Sequence, residues 1–337
     1  MGSVRKDSAG LSYYGEMLDL EGLDPELAGI EEAWLHPSVQ RSLLSYLFKG
    51  RHMDLVRSMI SEGVVAQDLG EKVTIALRAM MDIYHGFKVD GGALDLNTLT
   101  PRALAEIELC AWRPSLSNGE ALRSALSVEV PVREDWIKRE VDPGSEEAIL
   151  KFYRESESYI FELMAANNLL ETLCNYDILL DKLSRLGVGE FLDYGAGIGS
   201  LVILGKARGL SVCHMDLAGK TLDFARWRFK MRNLGIPVVC ARGDHSDIPN
   251  SYAIVCTEVI EHVFEPHVLL DRFRRVVPRG GYVVISESCG YVEKFISHLT
   301  KNQWLAGKAF DIEMRARGFV EVLPEPRIHP RIFQRLE

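Results

Sequence analysis

Three glycines at positions 195, 197 and 199 come directly after the short run Phe191 to Tyr194 and directly before the apolar residues Leu201 to Leu204. Glycine has no Cβ, so such a loop lets the backbone approach a ligand, and the first N–H groups of a helix starting there point at it. About 20 residues further on, Asp216 closes the apolar run Val212 to Leu217, where a carboxylate accepts hydrogen bonds from ribose hydroxyls. Glu258, Glu261 and His262 then fall close together, and an imidazole there can take the proton from a hydroxyl or amine acceptor. These residue types point to chemistry on a ligand that contains a nucleoside.

Elements that would carry them can be read from the apolar pattern. Strands are expected over 190–194, 211–217, 238–242, 252–257, 281–286, 319–323 and 331–336, and helices over 201–208, 221–234, 266–277 and 301–317. Alternation of this kind predicts an α/β fold with a mostly parallel sheet, helices on both faces, and an antiparallel edge from the last two strands. Glycine loop, Asp216 and the Glu258–His262 stretch all fall at the carboxyl ends of strands, where ligands of such sheets bind.

Residues 1–145 read as an all-helical N-terminal domain, and 146–337 as the catalytic domain, including covering helices over 146–186. Helices are expected around Leu43 to Phe48, Leu55 to Ile60 and Val73 to Tyr84, with Pro101 opening another. The segment 115–145, with Pro131, Pro143 and Gly144, reads as a linker or covering arm. Met80, Met81, Trp34, Trp112 and Trp136 are assigned to the core. Tyr153, Tyr159, Asn167 and Asn168 are candidates to face the site from the covering helices.

The 337 residues carry a net charge of −9, which argues against non-specific attraction to phosphate backbones. A helix bearing Arg226, Arg228, Lys230 and Arg232 is accordingly expected to be a solvated face. Six cysteines without a C-x-x-C pair read as reduced core thiols of a cytoplasmic protein. No apolar run approaches the ~18 residues of a membrane span, and the start of the chain shows neither an apolar signal region nor Ser or Thr where a myristoylation signal requires it, that place being taken by Lys6.

The glycine spacing departs from the G-x-G-x-x-G of nicotinamide-binding proteins. Asp193-x-Gly195-x-Gly197-x-Gly199 resembles instead the D-x-G-x-G-x-G motif of class I S-adenosylmethionine-dependent methyltransferases. Glu258-Val259-Ile260-Glu261-His262-Val263 and Pro278-Arg279-Gly280-Gly281 resemble the corresponding motifs of the ubiquinone-biosynthesis O-methyltransferase type, so that the resemblance covers about 191–286. It implies a Rossmann-like seven-stranded methyltransferase sheet and S-adenosyl-L-methionine as cofactor. It further implies that Asp193, Gly195, Gly197, Gly199, Asp216, Leu217, Asp244, His245 and Glu258 hold that cofactor. His262, with Glu261 and Tyr291, is then the catalytic set. Glu258, Glu261 and His262 also match part of the metal-ligand set of small-RNA 3′-terminal 2′-O-methyltransferases, with His298, or failing that His245, as the fourth ligand. A metal-free site and this metal site both stay open. The expected function is methyl transfer to the O, N or C atom of a small-molecule metabolite, with no membrane or nucleic-acid partner and the helical part acting as a lid, substrate domain or homodimer surface. An RNA methyltransferase with a Glu/His metal site, a protein or peptide methyltransferase, and a cofactor-binding module without turnover are the alternatives.

Overall fold

The structure is a computed structural model and describes residues 67–89, 92–96, 99, 101–126, 130–167, 169–291, 295–323 and 330–336. The expected helices around Leu43 and Leu55, and Trp34, lie outside these residues.

The first described helix, α1 (Gln67–Tyr84), is followed by a two-stranded ladder, β1 (Lys88–Val89) and β2 (Gly92–Ala93). This small antiparallel pair corrects the all-helical expectation for the first part of the chain. Helix α2 (Pro101–Trp112) starts at its proline as expected. The segment expected to be a linker is itself helical: a 3-10 turn (Pro114–Ser117), then α3 (Gly119–Ala125) and α4 (Val130–Lys138). Its single apolar stripe explains the misreading, because α4 buries only Val132 and Trp136, the latter edge-on to Phe152 with ring centroids 4.8 Å apart. Three helices follow, α5 (Glu146–Glu155), α6 (Ser158–Asn167) and α7 (Leu170–Arg185). Ser145 caps α5, its hydroxyl accepting from the Ala148 amide at 3.3 Å.

Seven further strands make one sheet: β3 (Glu190–Tyr194), β4 (Ser211–Leu217), β5 (Val238–Ala241), β6 (Ala253–Cys256), β7 (Tyr282–Ile285), β8 (Phe319–Val322) and β9 (Arg331–Arg335), in the order β5-β4-β3-β6-β7-β9-β8. All pairings are parallel except those of β9 with β7 and β8. The strand order reverses direction between β3 and β6, which fixes where a ligand crevice opens. Between strands lie α8 (Ser200–Ala207), α9 (Lys220–Met231), α10 (Pro266–Val276) and α11 (Lys308–Ala316). The expected single helix over 301–317 is two pieces, a 3-10 run (Thr300–Leu305) and α11. The break falls at Gly307, whose φ of 62° and ψ of −121° are not helical.

Alternation along each strand sorts the core into two layers. Phe191, Val212, Val255, Tyr282 and Val284 face α1, α7, α8 and α9 through residues such as Met80, Leu183, Val202 and Phe229. Leu192, Met215, Ile254, Val283 and Ile285 face α10 and α11 through Leu270, Phe273, Phe310 and Met314. Met80 and Trp136 are buried as expected, and residues on both sides of position 145 share the first of these layers. Among the described residues, no helix is long and apolar enough to cross a membrane.

Two surface expectations need correction. Arg226 and Lys230 are exposed, but Arg228 and Arg232 are 0% and 5% exposed and pair with Glu108 of α2. All six cysteines are free thiols; Cys174, Cys256 and Cys289 are buried, Cys110 and Cys213 half-buried, and Cys240 is exposed, so the core reading fails for Cys240.

Candidate active site

The glycine loop leaves β3 with three left-handed residues, Gly195, Gly197 and Gly199, at φ of 69°, 54° and 77°. A side chain would be strained at each, and there is no room for one: a Cβ at Gly195 would stand 2.5 Å from Val259 Cγ2, at Gly197 2.8 Å from Leu163 Cδ1, and at Gly199 2.6 Å from Phe229 Cζ. The amides of Gly195 and Ala196 both donate to the Met215 carbonyl, at 2.8 and 3.1 Å, which clamps the loop to the end of β4.

Asp216 sits at that same end. Its Oδ2 accepts from the Gly197 amide at 2.5 Å and its Oδ1 from the Leu217 amide at 2.7 Å. A carboxylate offers about four lone-pair sites, so two backbone donors leave acceptor capacity for a pair of ribose hydroxyls. Burial pushes the Asp216 carboxyl up to about 6 against the pull of those two amides. Asp193, 3% exposed inside β3, is raised well above the carboxylate range by burial and by Asp216. Asp193 is therefore neutral, whereas Asp216 is largely ionised at pH 7 and is the acid that can accept from hydroxyl donors.

Asp244 follows β5. It is exposed, and its Oδ1 accepts from the Ser246 amide at 3.0 Å and the Ser246 hydroxyl at 2.7 Å, contacts that hold its carboxyl below the usual range. Its present contacts are thus those of a turn residue. His245, at φ 60°, turns inward, its Nδ1 2.7 Å from the Tyr194 hydroxyl.

The other half of the crevice is built after β6 and β7. Glu258 holds the unusual φ of 53°, and its carboxylate accepts from the Ser286 hydroxyl at 2.7 Å and the Ser288 hydroxyl at 2.6 Å. Positive φ in a residue other than glycine costs energy that the surroundings must supply, and such strain gathers at functional sites. Glu261 and His262 lie in a 3-10 turn (Ile260–His262). Glu261 is fully buried, and burial with the nearby Glu258 raises its carboxyl well above the usual range; the amides of Glu261 and Ser288 pull it down without reaching hydrogen-bond geometry. The His262 Nδ1 is 2.9 Å from the Tyr153 hydroxyl and 3.0 Å from the Ser297 carbonyl, and its Nε2 is 3.5 Å from the Tyr159 hydroxyl. Burial lowers its pKa, so the ring is neutral.

Tyr153 and Tyr159 therefore do face the site from the covering helices. Asn167 does not: its Oδ1 accepts from Tyr176 at 2.9 Å, between α6 and α7, and Asn168 lies outside the described residues. Tyr291 ends a 3-10 turn (Cys289–Tyr291) after β7, and its side chain is outside the described residues. His298 comes within reach, its ring centroid 4.8 Å from that of His262. Sequence reasoning missed Asn302, whose Nδ2 donates to the carbonyls of Ile260, Glu261 and Val263 at 3.4, 3.2 and 2.8 Å and so holds the Glu261–His262 turn. Nothing local marks it, because all three acceptors are backbone groups about forty positions away. The set can thus bind a nucleoside at Asp216 and present a neutral imidazole to a second reactant beside it.

Part of the chain is similar to known proteins. Residues 192–285 match the family model described as "Methyltransferase domain". A ubiquinone biosynthesis O-methyltransferase of Chromobacterium violaceum is 28% identical over 110 residues, which cover 32% of this chain and 47% of that protein; the chain thus spans about half the length of the curated relative it matches. Among solved structures, a putative S-adenosyl-L-methionine-dependent methyltransferase of Methanococcus maripaludis shares 17% identity over 48% of this chain and 86% of its own, with a TM-score of 0.38. Magnesium protoporphyrin IX methyltransferase of Synechocystis, solved with bound S-adenosylhomocysteine, shares 15% identity over 47% of this chain and 80% of its own, with a TM-score of 0.36. Residues 192–285, which carry the glycine loop, Asp216 and the turn of Glu261 and His262, form a methyltransferase domain of the S-adenosylmethionine-dependent class.

Proposed function

We propose that the chain transfers the methyl group of S-adenosylmethionine to a small-molecule acceptor. One observation carries this reading: helix α6 touches both halves of the crevice, with Leu163 against Gly197 and the Tyr159 hydroxyl against His262. Helix α5 closes the same edge, since Leu150 packs on Gly243 and Arg154 donates to the Arg242 carbonyl at 2.7 Å. A crevice roofed by two helices suits a small acceptor that is swallowed with the cofactor. The cofactor, when bound, supplies an activated methyl on a sulfonium. Asp216 and the glycine loop would hold its nucleoside. Tyr153, Tyr159 and His262 orient the acceptor and exclude water, which is where the protein's share of such a reaction lies.

The test is calorimetric titration with S-adenosylhomocysteine, with NADH as control, followed by transfer of labelled methyl from S-adenosylmethionine into a metabolite extract, total RNA or protein. Binding of S-adenosylhomocysteine with label in the metabolite fraction is expected. Label confined to RNA would replace the small-molecule reading with the RNA one, which the closeness of Glu261, His262 and His298 favours and the net charge of −9 opposes. Absence of S-adenosylhomocysteine binding would remove the methyltransferase reading itself.

A further inference from the structure

Glu261 is the only carboxylate among the described residues with both oxygens buried and without a hydrogen-bond partner. Buried carboxylates are ordinarily paired or bound to a metal, because desolvation otherwise disfavours them by several kcal/mol. Water does not reach this one, at 0% exposure, and no arginine or lysine pairs with it among the described residues.

Beside it lie the Glu258 carboxylate and two imidazoles. The His262 Nδ1 meets the Ser297 carbonyl at 3.0 Å, and the His298 Nδ1 meets the Ser288 carbonyl at 3.2 Å. A carbonyl has no proton to give, so each of these contacts calls for the proton on Nδ1 and the lone pair on Nε2; at His262 the Tyr153 hydroxyl, 2.9 Å from the same Nδ1, is then a second acceptor. Metal-bound histidines are held in just this way, with the second nitrogen donating to a backbone carbonyl or carboxylate that fixes tautomer and ring plane. The His262 Nε2 lies 4.0 Å from Glu261 Oε1. One ligand atom from each of Glu261, His262 and His298 lies within 4.8 Å of the other two.

We infer that Glu261, His262 and His298 bind one divalent transition-metal cation at the acceptor end of the crevice. Donor atoms bound at about 2.0–2.2 Å to one ion stand ~3–3.5 Å apart, so the three must close by roughly 1 Å, which side-chain rotation can provide. Two imidazoles and one carboxylate suit Mn, Fe, Co or Zn better than Mg or Ca, which prefer oxygen alone. The structure revises the four-ligand set: Glu258 is not one of the clustered three, because its carboxylate is occupied by the hydroxyls of Ser286 and Ser288. The Tyr159 hydroxyl, 3.5 Å from the His262 Nε2, is the contact an ion would displace.

Three protein ligands leave coordination positions for an acceptor oxygen, so the site selects hydroxylated acceptors; this clause rests on the methyltransferase reading, whereas metal binding does not. An ion held there would make an acceptor hydroxyl more acidic, its proton passing to solvent as the acceptor enters the crevice. Its oxygen then bonds to the methyl carbon as the carbon–sulfur bond breaks, giving a methyl ether, S-adenosylhomocysteine and one released proton.

The experiment uses the full chain, stripped with chelator and dialysed, titrated with Co²⁺ by visible absorption and with Zn²⁺ by calorimetry, with S-adenosylhomocysteine titrated in parallel. One equivalent of Co²⁺ with ligand-field bands is expected. Glu261→Gln, which keeps shape and volume, and His298→Ala should each bind metal at least about tenfold more weakly with an unchanged circular-dichroism spectrum. Should His298→Ala fold poorly, Glu261→Gln decides. Wild-type protein that takes up neither metal, or a Glu261→Gln protein that binds both as the wild type does, overturns the site. Failure to bind S-adenosylhomocysteine strikes the methyltransferase reading and leaves the metal titration to be judged by itself.

Discussion

Arg228 in α9 lies with its Nε 3.0 Å from Glu108 in α2, and its Nη1 donates at once to the Ile198 carbonyl at 2.8 Å and to the Ser200 hydroxyl at 2.9 Å. The glycine loop is therefore tied, through one buried guanidinium, to a helix far earlier in the chain. Arg232 adds a second bond to Glu108 at 2.6 Å and reaches the Ile83 carbonyl of α1 at 2.8 Å. Burial raises the Glu108 carboxyl, but the two guanidinium groups outweigh it and hold the group at about 2.

Glu108→Gln should accordingly be costly. It leaves two buried cations facing one neutral amide, and removing one partner of a buried charge set costs about 3–5 kcal/mol. Urea unfolding checks the size, and S-adenosylhomocysteine affinity should fall with it because Arg228 no longer has a fixed seat. The sign with pH follows from the lowered value: the stabilisation is fully present above the ordinary carboxylate value of 4.5 and is lost as pH falls toward about 2. A variant within about 1 kcal/mol of wild type would show that this buried cluster is energetically neutral.

The glycines separate strain from function. Gly197→Ala would place a side chain at φ 54° and 2.8 Å from Leu163 Cδ1, whereas Gly209→Ala meets a similar φ of 80° with nothing within 4 Å. Both bear the left-handed penalty of about 1–2 kcal/mol. Only Gly197→Ala should also abolish S-adenosylhomocysteine binding, since it alone alters the loop that faces the nucleoside. Equal affinities for the two variants in calorimetry would mean that the loop does not contact the ligand.

Much of this was legible in the chain. The strands at Glu190–Tyr194 and Ser211–Leu217 have the expected bounds because glycines bracket them closely, Gly189 and Gly195 the first and Gly209 and Gly219 the second. The glycine loop and Asp216 are local signals, and they meet in space as their spacing implied. What stayed hidden depends on distant partners. Arg228 and Arg232 read as solvated because their acid, Glu108, is 120 positions away from the first of them. Likewise α4 buries only two side chains, and Asn302 acts through backbone carbonyls that no side-chain pattern records. The strand at Val238–Ala241 was placed, yet its Cys240 is exposed, with the Arg226 guanidinium 3.1 Å from its sulfur.

Asp216 should make cofactor binding depend on pH. Its carboxyl stands at about 6, and ribose hydroxyls donate to the charged form, so cofactor binding lowers that value and releases a proton. Affinity for S-adenosylhomocysteine should rise from about pH 5 to about pH 7 and then level off. For the empty protein the sign is opposite: the raised value contributes stability below 3.8 that is lost as pH rises through about 6. Asp216→Asn should flatten the affinity profile and weaken binding by about 1–3 kcal/mol. A profile that keeps its slope in this variant assigns the proton to another group, Asp193 first.

His214 is a buried histidine with no partner for either ring nitrogen. It sits in β4 opposite Asp193 and Val238, its ring edge-on to Phe229 with centroids 5.3 Å apart. Burial, with help from Arg226 and Arg228, lowers its pKa to about 3, so it is neutral in the folded protein at any ordinary pH. The unfolded chain binds a proton near 6.5 and the folded chain does not until about 3. Its contribution to stability is therefore intact above 6.5 and is lost as pH falls through that window, at up to about 1.4 kcal/mol per pH unit. His214→Leu removes two unsatisfied polar atoms from an apolar layer, where each costs about 1–3 kcal/mol, so the variant should be at least as stable as wild type at pH 7. It should also lose less stability than wild type between pH 7 and pH 5, a difference that urea midpoints at the two values measure directly. Parallel losses in the two proteins would mean that the ring finds a proton or a partner inside the fold.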